Sequence, residues 1–180
     1  MKHITSFAIV FFTALLLAAC AGGGAFQTVR RSDQDVARLM TANDKLIVPG
    51  ERAGPIFFGM TEAQLYQKMG NPDRSNPANN GALIVYVWGD LVASVQASTH
   101  TVVQMQVMGP SYGTLEGVST GTPELALKAK LGQPSWEVLA YTDRATRKLC
   151  YHSGLNSGLT AYVDEGRVSW FMLFPRGLCG

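Results

Sequence analysis

Residues 59–72 recur at residues 121–134 without a gap, at a constant offset (121 − 59 = 62). Gly59-Met60-Thr61-Glu62 leads to Met69-Gly70-Asn71-Pro72, and Gly121-Thr122-Pro123-Glu124 leads to Leu131-Gly132-Gln133-Pro134. Each copy carries the punctuation of one short helix. Thr61 and Gln64 have capping-box spacing. In the second copy Thr122 is placed to cap and Pro123 to occupy the first helical position, where a missing N–H costs nothing. Leu65 and Met69 correspond to Leu127 and Leu131, an i,i+4 apolar pair that one helix face can bury. Gly70 and Gly132 suit a positive-φ stop, and Pro72 and Pro134 prevent continuation.

Strand signals follow each helix. Apolar runs at 83–88, 91–96 and 102–108 are separated by Gly89-Asp90 and Ser98-Thr99-His100. Runs at 148–152, 159–163 and 168–174 are separated by a Ser/Gly-rich stretch from Ser153 and by Glu165-Gly166. Both halves therefore predict a helix followed by a three-stranded antiparallel meander. One small meander cannot bury its apolar face alone. The expected fold is α+β, with both meanders in one sheet and the helices on one face. A further short helix is predicted from Ser32, with Asp33 and Asp35 in its first turn and Val36, Leu39 and Met40 on one side.

The amino terminus has a basic Lys2, an apolar run at 7–17 interrupted by Thr13, and then Leu17-Ala18-Ala19-Cys20. The run is too short to span a bilayer core of about 30 Å but suits a signal peptide. Leu17-Ala18-Ala19-Cys20 resembles the bacterial lipobox. That resemblance implies cleavage before Cys20 and acylation of Cys20, the other reading being a plain secretory signal with a chance cysteine. Ala21 is not the Asp tied to inner-membrane retention in Gram-negative lipoproteins, which points to the outer membrane, facing the periplasm. Gly22-Gly23-Gly24 lies in a flexible tether. The expected organisation is a signal peptide at 1–19, a tether at 20–31, an N-terminal helix and lead-in at 32–48, and repeats at 49–109 and 110–180 forming one compact domain.

The formal net charge of +2 includes Lys2, so the mature chain is close to neutral and shows no basic stripe for nucleic acid. Hydrophobic residues make up 47% and charged residues 16%, a globular rather than disordered balance. Of the three cysteines, acylation of Cys20 leaves Cys150 and Cys179. In an oxidising periplasm this pair is most simply a disulfide. The alternatives are two free thiols or a loose tail that cross-links chains.

Gly59-Met60-Thr61 through Met69-Gly70-Asn71-Pro72, preceded by Gly54-Pro55-Ile56-Phe57-Phe58, resembles the opening of BamE (SmpA/OmlA) lipoproteins. The tandem arrangement also resembles the β-lactamase inhibitor protein architecture. The first resemblance implies an envelope protein that binds and helps assemble other proteins. The second implies an inhibitor docking its sheet face on an envelope or secreted enzyme. BamE has a single copy of the unit, and the duplication here departs from it.

Few residues of the sequence form a pattern that points to catalysis. No spacing of His, Cys, Asp or Glu matches a zinc site, and no phosphate loop, dinucleotide fingerprint or nucleophile elbow is present. No cofactor and no metal are expected. Cys150 and His152 project from one face of a strand and could serve as nucleophile and base; the plainer reading is a disulfide cysteine beside a surface histidine, and no enzyme is expected. Residues 83–88 and 170–174 are apolar without alternation. Either both sheet faces are covered, or one is offered to a partner. Tyr86, Trp88, Trp170 and Met172 are the candidate contacts for that partner. The expected partners are a membrane, through the lipid, and an envelope protein.

Overall fold

The structure, a computed structural model, describes residues 29–140 and 145–179. The expected signal peptide, Cys20 and the tether as far as residue 28 lie outside the described residues.

The chain enters through α1 (Asp33–Thr41), capped where Ser32 Oγ accepts the Asp35 N–H at 3.2 Å. Three short strands follow, β1 (Leu46–Val48), β2 (Arg52–Ala53) and β3 (Ile56–Phe57). Then come α2 (Glu62–Met69), β4 (Arg74–Ala78), β5 (Leu83–Trp88), β6 (Leu91–Gln96) and β7 (Thr101–Val107). After β8 (Gly113–Thr114), the order repeats as α3 (Glu124–Leu131), β9 (Trp136–Leu139), β10 (Arg147–Tyr151), β11 (Leu159–Asp164) and β12 (Arg167–Leu173).

The fold is α+β, with two sheets. A small sheet in the order β3-β2-β1-β8 holds the amino-terminal strands, and an eight-stranded sheet runs β4-β5-β6-β7-β12-β11-β10-β9. The large sheet is antiparallel throughout and the two halves join at its centre, between β7 and β12. Leu39 of α1, Leu65 of α2 and Leu127 and Leu131 of α3 share one buried cluster with Tyr86, Ala93, Met105, Phe171, Ala161 and Leu149 of that sheet. The helices therefore cover one face, and among the described residues no helix covers the other.

Each meander has four strands, not the expected three. The additional strands, β4 and β9, form the two edges. Arg-Ser-Asn-Pro-Ala carries no apolar alternation, and Trp136–Leu139 is largely exposed. Pro77 is tolerated because an edge position need not donate on both sides.

The duplication extends to individual hydrogen bonds. Gly59 N–H donates to Val102 O at 2.9 Å, and Gly121 N–H to Val168 O at 2.7 Å. Val102 N–H donates to Met60 O and Val168 N–H to Thr122 O, both at 2.9 Å. Register shifts between Ser94 and Val95 opposite β7, and between Tyr162 and Val163 opposite β12, place one extra residue at matching points of the two meanders. Trp88 Nε1–H donates to Gly70 O at 3.2 Å, and Tyr151 Oη–H to Gly132 O at 3.3 Å. The two helix ends are thus held by aromatic donors from corresponding strands.

Capping differs between the copies. Thr61 forms the expected box, with Gln64 N–H donating to Thr61 Oγ1 at 3.2 Å and Thr61 N–H to Gln64 Oε1 at 2.8 Å. Thr122 does not cap α3. Its Oγ1 accepts from Ser119 N–H at 3.1 Å, and Pro123 stands at the cap position with no side-chain bond. The backbone before α3 is already pinned to β12, which leaves the helix to begin at Glu124.

Gly70 has φ 74° and ψ −162°, and Gly132 has φ 85° and ψ −175°. This region is open essentially to glycine alone. A Cβ at either site would meet nothing within 4 Å, so the penalty for a side chain is conformational and should be alike in both copies. Gly70→Val and Gly132→Val are each expected to cost about 1–3 kcal/mol. Denaturant melts in which only one variant is destabilised would show that the helix ends are not equivalent.

The copies also differ in their polar groups. Glu62 accepts from the Tyr86 hydroxyl and lies 3.0 Å from His100 Nδ1. Glu124, its counterpart, is paired with Arg147 and with Lys128, which is 2.8 Å away. The Tyr86 hydroxyl, then the His100 ring, hold the Glu62 carboxyl below its ordinary range. The folded state therefore favours the carboxylate. That stabilisation is present above the unfolded pKa of about 4.3 and is lost as pH falls through the lower folded value. Glu62→Gln should flatten the acid limb of the stability profile; an unchanged acid limb would contradict this role.

Candidate functional site

Strand register defines the helix-free face residue by residue. One row crosses the whole sheet through Arg74, Val87, Val92, Gln106, Met172, Thr160, Cys150 and Trp136. The row is palindromic about the centre: Arg74 matches Trp136, Val87 matches Cys150, Val92 matches Thr160, and Gln106 matches Met172. The offsets drift only slightly (136 − 74 = 62, 150 − 87 = 63, 160 − 92 = 68, 172 − 106 = 66). The two halves thus present the same geometry with different chemistry.

On the first half the face is a groove of about 480 Å³, whose lining includes Arg74, Asn76, Val85, Val87, Val92, Gln106 and Met108. Its floor consists of the alternate members of the apolar β5 run, and Val85 and Val87 are only half-buried. Arg74 forms no ion pair among the described residues.

On the second half the face is aromatic. Tyr162 and Trp170 stack with ring centroids 3.6 Å apart and planes 11° apart. Lys148 Nζ lies 5.5 Å from the Trp136 ring centre and 5.9 Å from that of Tyr162. Such placement favours the cation electrostatically, while burial draws the Lys148 pKa down. Met172 is half-buried at the centre, where its sulfur accepts from Gln104 Nε2 at 3.1 Å. The residues added beyond those expected from sequence are Val85, Val87, Val92, Gln106, Trp136 and Lys148. The unbroken apolar run of β5 contains Val85 and Val87 without giving their face, and the other four carry no signal in the sequence.

The four expected contact residues separate. Trp170 and Met172 lie on the helix-free face. Tyr86 and Trp88 do not: both point to the helices. Tyr86 is only 4% exposed, its ring meets that of Tyr66 edge-on at 5.9 Å, and its hydroxyl is engaged by Glu62. Trp88 packs against the core and donates to Gly70. Their places follow from strand parity, which a run apolar at every position does not reveal.

Cys150 is fully buried on the helix-free side and bonded to Cys179, with Cα atoms 6.0 Å apart. Residues 175–178 turn at the end of the sheet, where Leu178 N–H donates to Pro175 O at 3.1 Å, and Cys179 lies over the second half of the helix-free face. Cys179 Sγ also contacts Thr160 Oγ1 at 3.9 Å, and Gly177 N–H donates to Ser157 Oγ at 2.7 Å. Cys150, His152 and Cys179 form the only cluster of potential metal ligands found among the described residues, with ligand atoms within 4.8 Å. The sulfurs are bonded to each other, so Cys150 offers no thiolate as nucleophile in this form.

No family model matches the chain, and no curated protein does. Among solved structures it is similar to a DUF4309 family protein, YjgB, from Bacillus subtilis, at 15% identity and a TM-score of 0.48, over 71% of this chain and 88% of that one. It is similar to the uncharacterized protein yfeY from Escherichia coli at 12% identity and 0.46, over 74% and 99%. A candidate beta-lactamase inhibitor protein from Streptococcus mutans aligns at 17% identity and 0.26, over 77% and 94%. At these values the likenesses say nothing of activity or partner, and none is to BamE.

Proposed function

We propose that this chain is a lipid-anchored envelope protein, held at the outer membrane and facing the periplasm, that binds another protein through the helix-free face of its sheet. The observation that carries the reading is the composition of that face. A valine-floored groove adjoins a Trp/Tyr/Met/Lys surface, with the Gln104 and Gln106 amides between them. Aromatic residues and Met are enriched at the cores of protein interfaces, and buried aromatic anchors carry much of their binding energy. Among the described residues the face is mostly apolar and aromatic with few charges, which supports a binding role. Within this reading the BamE-like opening of the first repeat supports an assembly module.

Mature protein captured on a support should retain its partner from detergent-solubilised envelopes, and Trp170→Ala with Met172→Ala should reduce retention at least about tenfold. Leu125→Ala, on the exposed side of α3, should not. Retention unchanged by the sheet-face substitutions would remove this face from the account. Barrel-assembly components among the retained proteins would favour the assembly module, and one defined enzyme the inhibitor.

A further inference from the structure

Two serines tie together the segments that carry the Cys150, His152 and Cys179 side chains. Ser157 Oγ–H donates to His152 O at 3.0 Å, and the same oxygen accepts Gly177 N–H at 2.7 Å. Ser135 N–H donates to Cys150 O at 2.8 Å, and Ser135 Oγ accepts His152 N–H at 3.2 Å. Ser157 is only 3% exposed, so its two bonds are shielded from water. The end of β10 and the tail that leads to Cys179 are thus held side by side by bonds other than the bridge. On this frame the two sulfurs and an imidazole nitrogen all lie within 4.8 Å of one another. Cys150 is buried, Cys179 is half-buried and His152 is exposed, so the cluster reaches from the sheet to solvent. A bridge between two cysteines does not require an imidazole beside it.

We propose that, once the bridge is reduced, the chain binds Zn²⁺ through Cys150 Sγ, Cys179 Sγ and the His152 ring, with water in the fourth position. Two thiolates and an imidazole are a zinc donor set that keeps one position open. Around a tetrahedral zinc such ligand atoms stand about 3.5–3.8 Å apart. The imidazole therefore closes in by about 1 Å or less, a rotation open to an exposed side chain, and the sulfurs separate. Cys179 supplies that separation, because it lies at the end of a turn and not in a strand. Thr160 Oγ1, 3.9 Å from Cys179 Sγ, is placed to donate to the thiolate from outside the ligand shell.

The reductant is a dithiol. One of its thiolates attacks Cys179 Sγ, the more accessible sulfur, and Cys150 leaves as a thiolate. The second thiolate of the reductant then attacks the mixed disulfide, releases Cys179 as a thiolate and leaves the reductant oxidised by two electrons. Zn²⁺ takes both thiolates, and a proton held by either sulfur goes to solvent. Zinc then replaces the bridge as the cross-link between β10 and the tail. The proposal is independent of the protein-binding reading.

Mature chain carrying Cys20→Ser, reduced by a phosphine in the absence of oxygen, tests it by titration with Co²⁺. The reduced chain should take up about one equivalent and develop the near-ultraviolet thiolate-to-cobalt bands and the visible bands of a tetrahedral site. The oxidised chain should develop neither. Zn²⁺ should displace the Co²⁺, and Cys179→Ser should remove much of the near-ultraviolet absorbance. His152→Ala should weaken Zn²⁺ binding at least about tenfold, since even outer partners of metal ligands are worth that much. Zn²⁺ should also raise the unfolding temperature of the reduced chain and leave that of the oxidised chain unchanged. Absence of a thiolate–cobalt band in the reduced chain, or an affinity indifferent to His152→Ala, would overturn the proposal. A reduced chain that is unfolded without metal must refold when Zn²⁺ is added; failure to do so would overturn it equally.

Discussion

Replacing Cys150 and Cys179 together by alanine should lower the stability of the mature chain by about 3–4 kcal/mol. The bridge closes a loop of 29 residues that contains the whole β11–β12 hairpin. Opening it returns loop-closure freedom to the unfolded chain. The folded state also loses its hold on residues 175–179, whose remaining ties include the Gly177–Ser157 hydrogen bond. Cys179→Ser separates these effects, since it breaks the bridge without emptying the buried position of Cys150. Denaturant melts of the double variant, and of the wild type with and without reductant, measure the loss. A change under about 1 kcal/mol would mean the bridge does not constrain the fold. Recovery of both cysteines as free thiols from periplasmically expressed protein would mean it does not form.

Cys20→Ser should move the protein from the membrane fraction to the soluble fraction and abolish acyl labelling. The expectation follows from Leu17-Ala18-Ala19-Cys20. Each buried CH₂ contributes about 0.8 kcal/mol, so two or more acyl chains give stable anchoring that a single chain does not. The size of the product must be followed too, since an uncleaved signal would itself hold the chain at a membrane. A membrane-bound Cys20→Ser protein of mature size would refute lipid anchoring.

Much of the fold was legible where local chemistry and packing agree. Thr61, Gln64, Gly70 and Pro72 delimit α2 within a residue, because cap, box and stop each satisfy backbone groups locally. The inner strands were legible because burial on at least one face demands apolar residues. The edge strands β4 and β9 were not, because an edge satisfies one side of its ladder and leaves its side chains to solvent. The short strands β1 to β3 escaped because their order comes from long-range packing. β1, for example, pairs in parallel with β8, Leu46 opposite Gly113 and Ile47 opposite Thr114.

The site was legible in half. Trp170 and Met172 share the open face, whereas Tyr86 and Trp88 took the opposite parity in a run where every residue is apolar. The groove could not be read at all, since its walls come from β4, β5, β6 and β7, and only the register brings Arg74, Val87, Val92 and Gln106 into line.

Site-specific photocrosslinking in intact cells tests most directly whether the helix-free face is the interaction surface. A photoreactive residue at Gln106 or Met172 reports from the centre of that face, and one at Leu125 or Tyr66 reports from the helix side, where both are exposed. One discrete protein adduct is expected from positions 106 and 172, diminished by Trp170→Ala, and none from positions 66 and 125. Adducts arising from the helix side alone would contradict an interaction surface on the helix-free face.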